Sequence, residues 1–320
     1  MLNAVRSFRA PIDATAGRDD RRTSRRRARS LALVAGLSVA ATLAATVPAS
    51  AVGVAPTALD IPVLSNAGPD TTGVPAGTVL KVVTGDLVVT TPGAVVDAVD
   101  VRGFIKVKAP NVTIKRSIVR GRPITGSFGL ITNDLGAHPF TVEDSELVAT
   151  EASPWINGII GHNFTVRRTE IANVIDSVHI TGSNVLVESS WLHANLFYAQ
   201  DPNQKGGPSH ADSVQIQGGS NIRIVRNNIE GAYSSAVQTT QDRAAVSDVT
   251  IRDNRIGGGG CTVNVAYGSR PAIVGLAVTN NVFRLDTRHT RCAIIAPSTN
   301  TIGNVDNYFT DGAAVKISRG

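Results

Sequence analysis

The chain has 320 residues, room for one large or two ordinary domains with a full core. Its net charge of +6 belongs entirely to residues 1–51, which carry nine Arg and three Asp. Taking these from the 31 basic and 25 acidic residues leaves 22 of each, so the remainder is neutral and a nucleic-acid partner is excluded.

Within residues 1–51, a basic run (Arg21, Arg22, Arg25, Arg26, Arg27, Arg29) precedes the apolar stretch 31–47 and the small residues Ala49-Ser50-Ala51. This is the pattern of a secretory signal peptide cleaved near Ala51, and it predicts an extracellular protein. Seventeen Ala-rich residues are short for a membrane span, so no stable insertion is expected after cleavage. No apolar pair follows the arginines, and the choice between the general and twin-arginine export routes stays open. Residues 52–77, rich in Pro, Ala, Thr and Gly, read as a linker before a single domain over 78–320.

From Thr78 the chain is written in short alternating runs of Val and Ile with polar residues, the signature of half-buried strands. One line recurs: Asn111-VTIKRSIVRG, Phe140-TVEDSELVA, Asn163-FTVRRTEIAN, Asn184-VLVESSWLHA, Asn221-IRIVRNNIEG, Asp248-VTIRDNRIGG and Gly275-LAVTNNVFR. With Pro139 taken as the first position of the second copy, the copies lie 28, 24, 21, 37, 27 and 27 residues apart with no helical period between them, which predicts a solenoid of stacked coils. The recurring Asn suits turns, because Asn tolerates left-handed backbone. On these copies the chain resembles the right-handed parallel β-helix superfamily, the pectate-lyase-like fold. The expected fold is all-β: a single-stranded right-handed parallel β-helix of about 9–10 coils.

A second strand aligns between copies: Asn157-Gly-Ile-Ile-Gly, Asp176-Ser-Val-His-Ile, Asp212-Ser-Val-Gln-Ile, Ser235-Ala-Val-Gln-Thr, Cys261-Thr-Val-Asn-Val and Cys292-Ala-Ile-Ile-Ala. Its third and fifth positions are largely aliphatic and point inward, so the fourth points out. That outward column reads Ile160, His179, Gln215, Gln238, Asn264 and Ile295, a polar stripe with Gln217 and Ser213 beside it. In the first column, Asp176 and Asp212 read as turn residues capping backbone N–H groups. The alternative is a carboxylate pair that binds a cation such as Ca2+ or acts as an acid pair; no other cofactor is expected.

The 37-residue interval inserts a loop that carries Phe197, Tyr198, Lys205 and His210 back to the stripe, two residues before Asp212. Phe197 could stack on a sugar ring, while Tyr198, Lys205, His210 and His179 are the acid or base candidates. Gln215, Gln217, Gln238 and Asn264 are the substrate-binding candidates.

For an exported β-helix of this resemblance, the implied partner is a polysaccharide and the implied chemistry is β-elimination from an acidic sugar, with the protein a monomer. A glycoside hydrolase using Asp176 and Asp212 is the runner-up, and a non-catalytic glycan-binding protein is the third reading. Finally, Cys261 and Cys292 share one column in consecutive copies, about 4.8 Å apart if the strands stack, which predicts a disulfide.

Overall fold

The computed structural model describes residues 67–320 apart from Tyr267. The expected signal peptide and residues 52–66 of the expected linker lie outside the described residues. Each coil contributes three short strands, and every strand pair is parallel. Lys81–Thr84, Leu87–Val89 and Val95–Asp97 open the three sheets, here called I, II and III. Val99–Arg102 then returns to pair with Lys81–Thr84, and the path repeats. Among the described residues sheets I and II have ten strands each and sheet III has nine. The fold is a right-handed parallel β-helix, the sense that parallel crossovers take.

The period-2 pattern is what fills the interior. In sheet III, Ile222 and Ile224 are fully buried while Arg223 between them is exposed. In sheet II, Val214 and Ile216 are fully buried on either side of Gln215. Like residues stack from coil to coil, as Phe140 and Phe164 do with ring centroids 5.4 Å apart. No single coil could hide these faces, so each is buried only by its neighbours.

Two Asn ladders turn the corners. At the entry to sheet III, Asn111, Asn163, Asn184 and Asn221 all adopt positive φ between 55° and 62°, as their sequence positions predict. Their side chains also link coils: Asn221 Nδ2 donates to Asn184 Oδ1, and Asn184 Nδ2 to Asn163 Oδ1. Just before, Gly219 (φ 102°) lies so close to the coil below that a Cβ would sit 2.2 Å from the Gly182 carbonyl carbon. Between sheets III and I, buried Asn227, Asn254, Asn281 and Asn307 form the second ladder. Each Oδ1 accepts the backbone N–H of the residue one coil earlier, at 2.8–2.9 Å. These side chains satisfy groups that water cannot reach.

Residues 67–77, the described part of the expected linker, lie against the solenoid. The Gly73 N–H donates to the Arg168 carbonyl at 3.0 Å and the Val74 N–H to Glu146 Oε1 at 3.2 Å. Cys261 and Cys292 form a disulfide with Cα atoms 4.7 Å apart, in the register that pairs Val263 with Ile294. Among the described residues no helix is long and apolar enough to cross a membrane.

Candidate functional site

Sheet II carries the site. Its pairings run Ile160 to His179, His179 to Gln215, Gln215 to Gln238, Gln238 to Asn264 and Asn264 to Ile295, so the outward column is the one read from the sequence. All six are half-buried, between inward neighbours that are fully covered.

The first column caps backbone. Asn157 Oδ1 accepts the Asp176 N–H at 3.2 Å, and Asp176 Oδ1 accepts the Asp212 N–H at 3.0 Å. Asp212 in turn accepts from the Ser235 backbone, leaving its Oδ1 buried without a hydrogen-bond partner among the described residues. Burial and the neighbouring Asp176 charge push the Asp212 carboxyl well above the usual carboxylate range. The remaining oxygen of Asp176 meets His179 Nδ1 at 3.1 Å. Both Asp176 oxygens are therefore spent within the protein. Ca2+ takes six to eight oxygen ligands, and this pair does not fit it. Among the described residues no group of three or more His, Cys, Asp or Glu side chains is arranged to hold a metal.

The inserted loop, residues 193–211, is fixed at several points. Asn195 Nδ2 donates to the Ile175 carbonyl and Ser177 Oγ, while its Oδ1 accepts from Ser213 Oγ. Ser213 is thereby covered and leaves the stripe. Phe197 stacks on Tyr233 with centroids 3.7 Å apart, and the Arg288 guanidinium lies 3.8 Å from the centroid of the Tyr233 ring. At the tip, buried Asp201 accepts from the Asn203 N–H at 2.8 Å and Ser209 Oγ at 2.7 Å. Asn203 Nδ2 then reaches the Pro154 carbonyl at 2.6 Å, two coils back.

Loop and sheet enclose a cleft of about 370 Å³ lined by His179 and Gln215 of sheet II, Asp176 and Gln217 at the ends of its strands, Asp201, Asn203 and His210 of the loop, and Asp242. Hollows of about 420 and 470 Å³ exist elsewhere. In the first, Arg120 and Arg122 are tied to Asp100 and Asp86; the second, on sheet III, contains no titrating side chain. Unlike these two hollows, the cleft joins two histidines with carboxylates and amides.

Burial of His179 favours its neutral ring. The hydrogen bond and charge of Asp176, with support from Gln217, outweigh that and raise its pKa above 6.5, although Arg243 opposes them. Gln217 Nε2 donates to Gln215 Oε1 at 3.2 Å, and Arg243 Nε donates to Gln217 Oε1 at 2.7 Å. His210 is exposed, with no hydrogen-bond partner among the described residues. The cleft thus offers one imidazole held toward its charged form and a second whose nitrogens are unspent.

Of the residues singled out from the sequence, His179, His210, Gln215, Gln217 and Asp176 line the cleft together. The others stand apart from it. Tyr198 closes the neck of the loop through paired bonds with Ser209; burial and the Asp201 charge raise its phenol, which suits it poorly as a base. Lys205 is exposed in a left-handed turn at the loop tip. Phe197 spends one ring face on Tyr233. Gln238, one coil beyond Gln215, is spent within its own strand, accepting from Ser235 Oγ and donating to the Thr239 carbonyl, and Asn264 borders a separate hollow with Ile295 and Pro297. Asp212 is 1% exposed and reaches the cleft only through Asp176. Asp201, Asp242 and Arg243 were not singled out. The Asp-Pro-Asn of 201–203 is a turn signal, and nothing in Asp242-Arg243 separates it from an ordinary charged loop.

No family model matches the chain, and no curated protein matches it. Among solved structures, the crystal structure of the Dettilon tailspike protein is similar at 11% identity, with a TM-score of 0.27. The match covers 75% of this chain and 62% of that one, so the chain spans less than two thirds of that protein. At this level the likeness bears on neither activity nor substrate.

Proposed function

We propose that the protein is an exported polysaccharide lyase of the pectate-lyase-like kind, cleaving a uronate-containing polymer by β-elimination. The observation that carries this reading is the meeting of His179 and His210 in one cleft, the former bonded to buried Asp176. His210 takes the proton at C5 of the uronate. The C4–O bond breaks, the C4–C5 double bond forms, and the His179 imidazolium gives its proton to the departing oxygen. Gln215 and Gln217 present amide donors to the charge that develops on the carboxylate. The expected signal peptide supports action outside the cell.

Hydrolysis is the second reading, favoured by three carboxylates, Asp176, Asp201 and Asp242, lining the same cleft. Asp242 is exposed and makes no ion pair among the described residues, so it is the carboxylate available for such chemistry. Incubation with polygalacturonate, alginate and hyaluronan separates the two. Unsaturated products absorbing in the ultraviolet mean lyase, and new reducing ends without that absorbance mean hydrolase. Neither product would leave a glycan-binding protein and overturn the enzymatic reading.

A further inference from the structure

The connection 240–246, which follows the strand Ser235–Thr239, is built more firmly than a surface loop needs. Buried Gln241 accepts the Val246 N–H through Oε1 at 2.6 Å and donates through Nε2 to the Pro271 carbonyl at 2.9 Å. Arg270 clasps the same turn from the next coil, Nε to the Gln241 carbonyl and Nη2 to the Arg243 carbonyl. Between these braces, Arg243 is docked on Gln217 twice, by its backbone N–H to the carbonyl at 2.9 Å and by Nε to Oε1 at 2.7 Å.

The guanidinium is thus oriented, yet only part of it is used. Its Nη1 and Nη2 have no hydrogen-bond or ion-pair partner among the described residues, and adjacent Asp242 makes no ion pair with it. Most other arginines on this solenoid are spent on carboxylates, as Arg116 is on Asp97, Arg168 on Asp144 and Arg284 on Glu230. An arginine held by Nε beside a cleft, with its terminal nitrogens free, matches the planar two-oxygen geometry of a carboxylate.

We infer that Arg243 is the residue that recognises the carboxylate of an acidic polymer, taking the place that a bound cation would otherwise fill. The inference rests on the reading of the cleft as a site for uronate polymers. A carboxylate gripped by Arg243 lies beside Gln217, whose amide leads through Gln215 to the outward column that holds His179. Pairing with the guanidinium withdraws charge from the carboxylate and makes the neighbouring C–H easier to deprotonate.

The test uses the whole chain with polygalacturonate, alginate and hyaluronan, each beside its carboxyl-reduced form. Wild type is expected to prefer the best acidic polymer over its reduced form by at least about tenfold in affinity. Arg243→Gln should lose most of that preference, keep its affinity for the reduced polymer, and keep its thermal midpoint; Arg243→Lys should retain part of the preference. A preference intact in Arg243→Gln overturns the inference. So does an equal loss on both forms, which would mean that Arg243 merely holds Gln217, and so does a wild type that binds both forms alike or binds neither. If the variant loses the preference but wild type yields no unsaturated product, the lyase reading falls and the role of Arg243 stands. Unsaturated products from wild type, with the preference intact in the variant, would sink Arg243 alone.

Discussion

The backbone N–H of Asp212 donates to Oδ1 of Asp176 at 3.0 Å, one coil away. This bond divides the labour of two carboxylates that the sequence makes look alike. Asp176 caps its neighbour and still holds His179. Asp212 continues the capping toward Ser235 but keeps one buried oxygen unpartnered among the described residues. A charged Asp212 would be costly there, and its raised pKa keeps it a neutral acid to higher pH than a free carboxyl.

Asp212→Asn is therefore expected to stabilise the fold above acidic pH. A carboxyl whose pKa is raised on folding contributes stability that is full below the unfolded value near 4 and is lost as pH climbs through the folded one. The amide does not titrate, and Asn157 already occupies the same column. Thermal melts at pH 4 and pH 8 should show a gap opening in favour of the variant, worth about 1–3 kcal/mol at the higher pH. A gap that closes with rising pH would contradict the assignment.

Asp176→Asn should shift the activity profile. Asp176 is what raises His179 against its burial, so removing the charge lets burial win and lowers the imidazole pKa. If His179 is the proton donor, activity falls as pH rises through its pKa. The alkaline limb should then move to lower pH in the variant, and the same move should appear in the His179 resonances followed by NMR. An unmoved limb with a moved resonance would remove His179 from the donor role.

His210→Ala should lower turnover by about a hundredfold or more while leaving the thermal midpoint unchanged. The side chain is exposed and makes no hydrogen bond among the described residues, so stability has nothing to lose. Full activity in a folded variant would move the base to another cleft residue, with exposed Asp242 the next to test.

The register of sheet II was legible because alternation is local: aliphatic residues at every second position force His179, Gln215, Gln238 and Asn264 outward whatever else the chain does. The insertion was legible as a break in the repeat, and it led to His210. The fold of the insertion was not, because tertiary bonds set it. Asp201 gathers Asn203 and Ser209, and Phe197 finds Tyr233, a residue with no mark in the sequence to separate it from its turn. Those contacts keep Tyr198 and Lys205 out of the cleft. Arg243 was hidden for a related reason: its bond to Gln217 joins loops of two coils, 26 residues apart. The buried corner ladder was obscured by substitution, since Ser190, whose Oγ accepts the Thr169 N–H, precedes Asn227 in the same role.

Cys261→Ala with Cys292→Ala should weaken the C-terminal coils and leave the cleft working. The bond closes a separation of 31 residues, for which the chain-entropy account gives about 3–4 kcal/mol. In a solenoid each coil is stabilised chiefly by its immediate neighbours, so the loss is felt where the link was removed and fades along the axis. The disulfide joins the sheet II strands of two coils beyond Gln238, whereas His179 and Gln215 sit on earlier coils. Hydrogen exchange of the double variant should therefore quicken first in the strands Val263–Val265 and Ile294–Ala296, with Val178–Ile180 still protected. Turnover below the melting temperature should be unchanged, and the denaturant midpoint should fall. Uniform loss of protection along all coils would mean that the solenoid unfolds as one unit and that the bond stabilises the cleft as well.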